Sequence, residues 1–113
     1  MIPERLGGYY MSKLDFEFDS PLHPYLKAMI SKLPSGPKLI MKTLANKEYN
    51  KEDLAIQSKV RRGELNFALI WIEALGLVDY NASGRQKLYG LTPLGRKAFE
   101  EFNELFEVPE DEQ

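Results

Sequence analysis

Cysteine is missing from the chain altogether, which excludes disulfides, thiolate zinc sites and a cysteine nucleophile. Histidine occurs once, as His23 beside Pro24, and a lone histidine at a helix start fits a structural role, not a catalytic one. No apolar run approaches the roughly 18 residues needed to cross a bilayer. The N-terminus, Met1-Ile2-Pro3-Glu4-Arg5 leading into Gly7-Gly8-Tyr9-Tyr10, lacks the apolar core of a secretory signal. Phosphate-loop and metal-ligand spacings are also missing. These absences leave the expectation of a cytoplasmic, non-enzymatic protein with no metal, no cofactor and no membrane partner. A length of 113 residues, 43% hydrophobic and 28% charged, is ordinary for one globular domain.

Charge is unevenly spread. The formal net charge is −2, yet residues 21–99 hold thirteen bases against six acids, a local balance of +7. Residues 100–113 carry seven acids and no base, and residues 1–20 carry four acids against Arg5 and Lys13. A basic body between acidic ends matters for an anionic partner, because the local field steers association more than the net charge does.

Residues 1–20 read as an appendage. The alternation in Lys13-Leu14-Asp15-Phe16-Glu17-Phe18-Asp19 suits a short strand or an extended arm, partly disordered. Ser20 is placed to cap a helix with Pro21 in its first turn, and Leu22, Leu26, Met29, Ile30 and Leu33 recur at helical spacing. Pro34-Ser35-Gly36-Pro37 breaks that pattern, and a second helix is expected over 38–46. Asn50 is positioned to cap a third helix over 51–58. A turn holding Val60 precedes a longer helix over 62–75. Leu77-Val78-Asp79-Tyr80 reads as a strand, Asn81-Ala82-Ser83-Gly84 as a polar turn, and residues 85–91 as the return strand. Thr92-Pro93 then opens a last helix carrying Leu94, Ala98, Phe99, Phe102, Leu105 and Phe106, with residues 107–113 as an acidic disordered tail.

Helix, helix, turn, helix, hairpin, helix is the order of a winged helix. Leu54-Ala55, Val60, Leu65 and the run Ile72-Glu73-Ala74-Leu75-Gly76-Leu77-Val78 resemble the text of MarR-like winged helix-turn-helix transcription regulators. Leu91-Thr92-Pro93-Leu94-Gly95-Arg96-Lys97-Ala98 is similar to the segment that leaves the wing in such proteins. The resemblance covers residues 37–102. It implies an α+β, mostly α fold: a three-helix core and a two-stranded wing within 21–106, with extra N-terminal and C-terminal helices. It also implies duplex DNA as the partner, with the 62–75 helix in the major groove and the 81–87 wing on a neighbouring groove or backbone. On that reading Lys59, Arg61, Arg62, Arg85 and Lys87 meet phosphate, while Asn66, Glu64 and Phe67 face base edges.

The 62–75 helix is unusually apolar for that task. Leu65, Ala68, Leu69, Ile72 and Leu75 form one stripe, leaving Glu64, Asn66, Phe67, Ile70 and Trp71 on the other side. An all-round apolar helix is most simply a buried one, which would put Phe67 and Trp71 in the core. Two further readings stay open at this point: an aromatic anchor for another protein, or a surface covered by the N-terminal arm. The chain would then serve as a winged-helix interaction subunit of a larger assembly. Dimerisation is a further expectation. Phe99, Phe102 and Phe106 line the last helix and Leu22, Leu26, Met29 and Leu33 the first, and either line suits a symmetric homodimer or packing within one monomer.

Overall fold

The computed structural model describes residues 17–109. Within them the chain divides into two compact units between Lys32 and Leu33.

The first unit contributes helix α1 (Leu22–Ser31), in which Leu26 and Ile30 are buried. Pro21, not Ser20, occupies its N-cap position. The Ser20 hydroxyl instead accepts from the Glu17 N–H at 2.9 Å, closing a turn ahead of the helix. Phe18, in the alternating stretch of the expected arm, is fully exposed, and Leu14 and Phe16 lie outside the described residues.

The second unit holds α2 (Ser35–Leu44), α3 (Lys51–Ser58), α4 (Arg62–Ala74), the strands β1 (Val78–Ser83) and β2 (Gln86–Leu91), α5 (Pro93–Glu101) and a 3-10 turn (Asn103–Phe106). This is a mostly helical α+β winged helix, the class and element order read from the sequence. Helix α2 begins earlier than expected. Pro34 sits at its N-cap and Pro37 in its first turn, where a missing N–H breaks no intrahelical bond, so the two prolines start the helix and do not interrupt the chain. Asn50 caps α3 by accepting from the Asp53 N–H at 2.8 Å. The α3–α4 turn passes through Lys59 at φ 65°, a left-handed conformation without glycine, and is held by the buried Ser58 hydroxyl accepting from Val60 N–H at 3.3 Å.

One face of each helix builds the core, with Ile40, Met41, Leu44, Leu54, Leu65, Ile72, Leu77 and Phe106 essentially inaccessible. Burying each such side chain contributes about 1.5–3 kcal/mol against full exposure. The wing strands pair antiparallel from Val78–Leu91 to Ser83–Gln86, so β1 runs longer than read, β2 starts one residue later, and the turn shrinks to Gly84-Arg85. Gly84 takes φ 64° and Arg85 does not, the pattern of a type II′ hairpin. Tyr49 adds a bridge to the outer strand: Tyr89 N–H donates to the Tyr49 carbonyl at 2.8 Å and Tyr49 N–H to the Tyr89 carbonyl at 3.1 Å.

At the C-terminus burial decides between the two readings of the phenylalanine line, and one expectation is corrected. Helix α5 ends at Glu101, and Phe102 and Phe106 are buried in the second unit, with the Phe106 ring tilted against the half-buried Phe99 at 5.2 Å. Phe102, at the end of α5, and Phe106, in the 3-10 turn, fill the core and do not form an open dimer stripe. The acidic tail is also ordered further than expected. Val108 is buried, and Glu107 pairs with Lys42 of α2 at 3.4 Å. Residues 110–113 lie outside the described residues.

Candidate nucleic-acid interface

The site is set by a clamp joining the two motifs that carry the sequence resemblance. Gly76, at φ 80°, ends the turn after α4. Thr92 caps α5, accepting from Gly95 N–H at 2.9 Å, and its hydroxyl donates to the Gly76 carbonyl at 2.6 Å. Thr92 N–H also donates to the Leu77 carbonyl at 3.0 Å. A side chain on Gly95 would fall on that same Leu77 carbonyl, so only glycine allows the close approach. The exit of α4 and the exit of the wing are thereby locked together, fixing the wing beside α4.

The consequence is a concave groove of about 390 Å³ that brings the first residues of α3 and α4 to the wing. Arg62 lies at the start of α4, Arg85 and Lys87 come from the hairpin, and Lys51 opens α3, with Asn50, Glu52, Gln86 and Tyr89 completing the lining. Three of the five cations expected at phosphate positions therefore meet in one place. Lys51 was not among them. The signal available was its position immediately after the capping Asn50, which puts it at the positive end of the α3 dipole beside the groove. The Lys51 ammonium lies 6.0 Å from the Tyr89 ring centre, and that of Lys87 lies 4.4 Å from Tyr80. Both aromatic faces favour a cation held over them.

Lys59 and Arg61 line a separate, smaller hollow of about 190 Å³ with Ser35, Gly36, Leu39 and Glu64. Arg61 reaches Glu64 at 3.5 Å across one turn of α4. Both groups are exposed, so the pair contributes little stability, but it occupies the carboxylate expected to face a base.

Asn66 and Phe67 are both exposed on α4. The core placement of Phe67 and Trp71 is not what the structure shows, since they are 69% and 50% exposed. The packing of α2, α3 and β1 against α4 is met by Leu65, Ala68, Leu69 and Ile72, and the opposite side of the helix stays open. Phe67 and Trp71 instead border a shallow cleft with Pro34, Gly36, Pro37 and Glu64. Ile70, 60% exposed, joins them on the outward side. Among the described residues no group of three metal-ligating side chains comes together, and no helix is long and apolar enough to cross a membrane.

No family model matches this sequence, and none of the curated proteins does. Solved structures do match. A MarR-family transcriptional regulator from Silicibacter pomeroyi superposes with a TM-score of 0.61 at 23% identity, over 90% of this chain and 64% of that one. A MarR-family regulator from Neisseria meningitidis gives 0.54 at 12% identity, over 88% and 61%. The homodimeric winged helix-turn-helix DNA-binding domain of a possible ArsR-family regulator from Mycobacterium bovis gives 0.58 at 17% identity, over 91% and 86%. The fold is thus a MarR-like winged helix, and the chain spans less than two thirds of the two MarR-family regulators.

Proposed function

We propose that this chain is a cytoplasmic DNA-binding regulator of transcription that has no catalytic activity and acts by occupying duplex DNA. The observation that carries the reading is the groove joining the α3 and α4 N-termini to the wing, where Lys51, Arg62, Arg85 and Lys87 converge. A helix entering the major groove with a hairpin beside it needs cations at those places, to meet the phosphates on either side. Lys59 and Arg61 extend the basic border along the α3–α4 turn, and Asn66 and Phe67 face the bases. A symmetric homodimer would double this surface and match a palindromic site. The homodimeric Mycobacterium bovis domain supports that arrangement. With Phe102 and Phe106 committed to the core, α1, whose Leu22 and Tyr25 are exposed, is the preferred contact.

The test is a salt-titrated measurement of duplex binding by the intact chain and by a variant carrying Arg62→Ala and Lys87→Ala. Each phosphate contact contributes about 0.9 to the slope of log affinity against log salt. The double variant is expected to bind all sequences more weakly and to flatten that slope by roughly 2. Unchanged affinity and slope would remove the groove from the interface.

A further inference from the structure

We propose that the outward face of α4 selects A·T base pairs, with Ile70 and Phe67 packing on thymine methyl groups and Asn66 pairing with adenine. The inference rests on the duplex-binding reading above and adds its base preference. Arginine and lysine are the usual readers of guanine, through paired bonds to its O6 and N7. After Arg62, which lines the groove with the wing, α4 carries no further arginine or lysine, so beyond its first residue nothing along it offers that pair of donors. Glu64, the only carboxylate in the first turns of α4, stands 3.5 Å from Arg61 and so faces the cationic border at the α3–α4 turn. What the face does offer is an amide matched to the adenine N6/N7 edge and two large apolar side chains, 60% and 69% exposed. The positions agree as well: Asn66 and Ile70 are one turn apart, and Phe67 and Ile70 are three residues apart, so Ile70 neighbours both on the surface of α4.

Charge settles which kind of surface would cover such a face. Arg62, one turn before Asn66 on α4, joins this face to the groove that holds Lys51, Arg85 and Lys87 beside the single acid Glu52, and Lys59 and Arg61 stand with Glu64 at the α3–α4 turn. An apolar strip framed by cations is complementary to a polyanion with apolar groups on its floor. The major groove supplies both features where thymine C5 methyl groups line it.

Equal-length alternating A·T and G·C duplexes, and an A·U duplex in which deoxyuridine replaces every thymidine, would be titrated with the full chain. Deoxyuridine keeps the pairing and removes only the methyl. Affinity is expected in the order A·T, A·U, G·C, with about a fourfold loss for each methyl contact removed. Ile70→Ala should erase much of the difference between A·T and A·U while leaving the salt slope intact. Its thermal transition, followed by circular dichroism, should match that of the parent because Ile70 is outside the core. Equal, salt-sensitive affinity for all three duplexes would overturn methyl reading and leave duplex binding standing. Preference for G·C would overturn it too. An absence of binding at any salt would bring down both readings together. Loss of self-association in Ile70→Ala, with the A·T preference unchanged, would assign the face to a second copy of the chain and overturn the proposal.

Discussion

At the scale of single residues, two glycines separate packing from surface. The hydrogen that Gly95 presents to Leu77 leaves no room for a methyl group, and the clash is with backbone, which cannot rotate away. Gly95→Ala is therefore expected to destabilise the fold by about 3 kcal/mol, the upper part of the overpacking range, seen as a lower urea midpoint. Gly63, in the first turn of α4, has nothing within 4 Å of where its Cβ would stand. Gly63→Ala should instead gain up to about 1 kcal/mol through reduced backbone freedom of the unfolded chain. Similar midpoints for the two variants would mean that the Thr92–Gly95 clamp relaxes at little cost. Lys59 is a further special position. A β-carbon in the left-handed region costs roughly 1 kcal/mol, and here that conformation turns the chain from α3 into α4 beside the basic border.

At the scale of elements, the wing is where burial and charge meet. Tyr89 stands on β2 with its ring 5.4 Å from Tyr80, and it is buried. Burial, then the Glu73 carboxylate and then Tyr80, raises its phenol above the ordinary tyrosine value. Below about pH 10 the phenol is protonated in both folded and unfolded chains and does not affect stability. As pH rises past that point the unfolded chain ionises first. Stability should then fall until pH passes the raised folded value. Tyr89→Phe is expected to lose this part of the alkaline decline, while costing some stability at neutral pH through lost packing. Urea midpoints followed between neutral pH and the alkaline range test it, and parallel declines in both chains would remove Tyr89 as the cause. The elements themselves were largely legible in the sequence, because Asn50, Thr92-Pro93 and Gly84 are local signals that act through adjacent backbone. What was not legible came from longer range. The prolines at 34 and 37 look like breakers until α2 is seen to start there, and the Tyr49–Tyr89 bridge joins residues forty apart. Phe102 and Phe106 share helical spacing with Phe99, but the first ends α5, the second sits in the 3-10 turn, and both fill the core. The site was half legible for the same reason: Arg62, Arg85 and Lys87 follow from the order of elements, whereas Lys51 reaches the groove only because α3 starts beside the wing.

At the scale of the whole molecule, a net charge of −2 coexists with a basic groove, and the acids responsible cluster in sequence after residue 99. Removing residues 110–113 deletes Glu110, Asp111 and Glu112 and takes the formal net charge from −2 to +1. If the proposed duplex binding is steered by the field of the whole chain, this truncation should strengthen it at low salt. The gain should come mainly through faster association, since long-range fields act on encounter more than on the bound contacts. It should also shrink as salt rises, because charges separated by more than about 8 Å are screened at physiological ionic strength. Association and dissociation rates measured for full-length and truncated chains over a salt series would distinguish the mechanisms. A gain confined to the association rate and lost at high salt is the signature of steering. A slower dissociation that persists at high salt would instead mean that these carboxylates sit against the bound phosphates. The arrangement would then be a local competitor for Lys51, Arg62, Arg85 and Lys87, not a distant field.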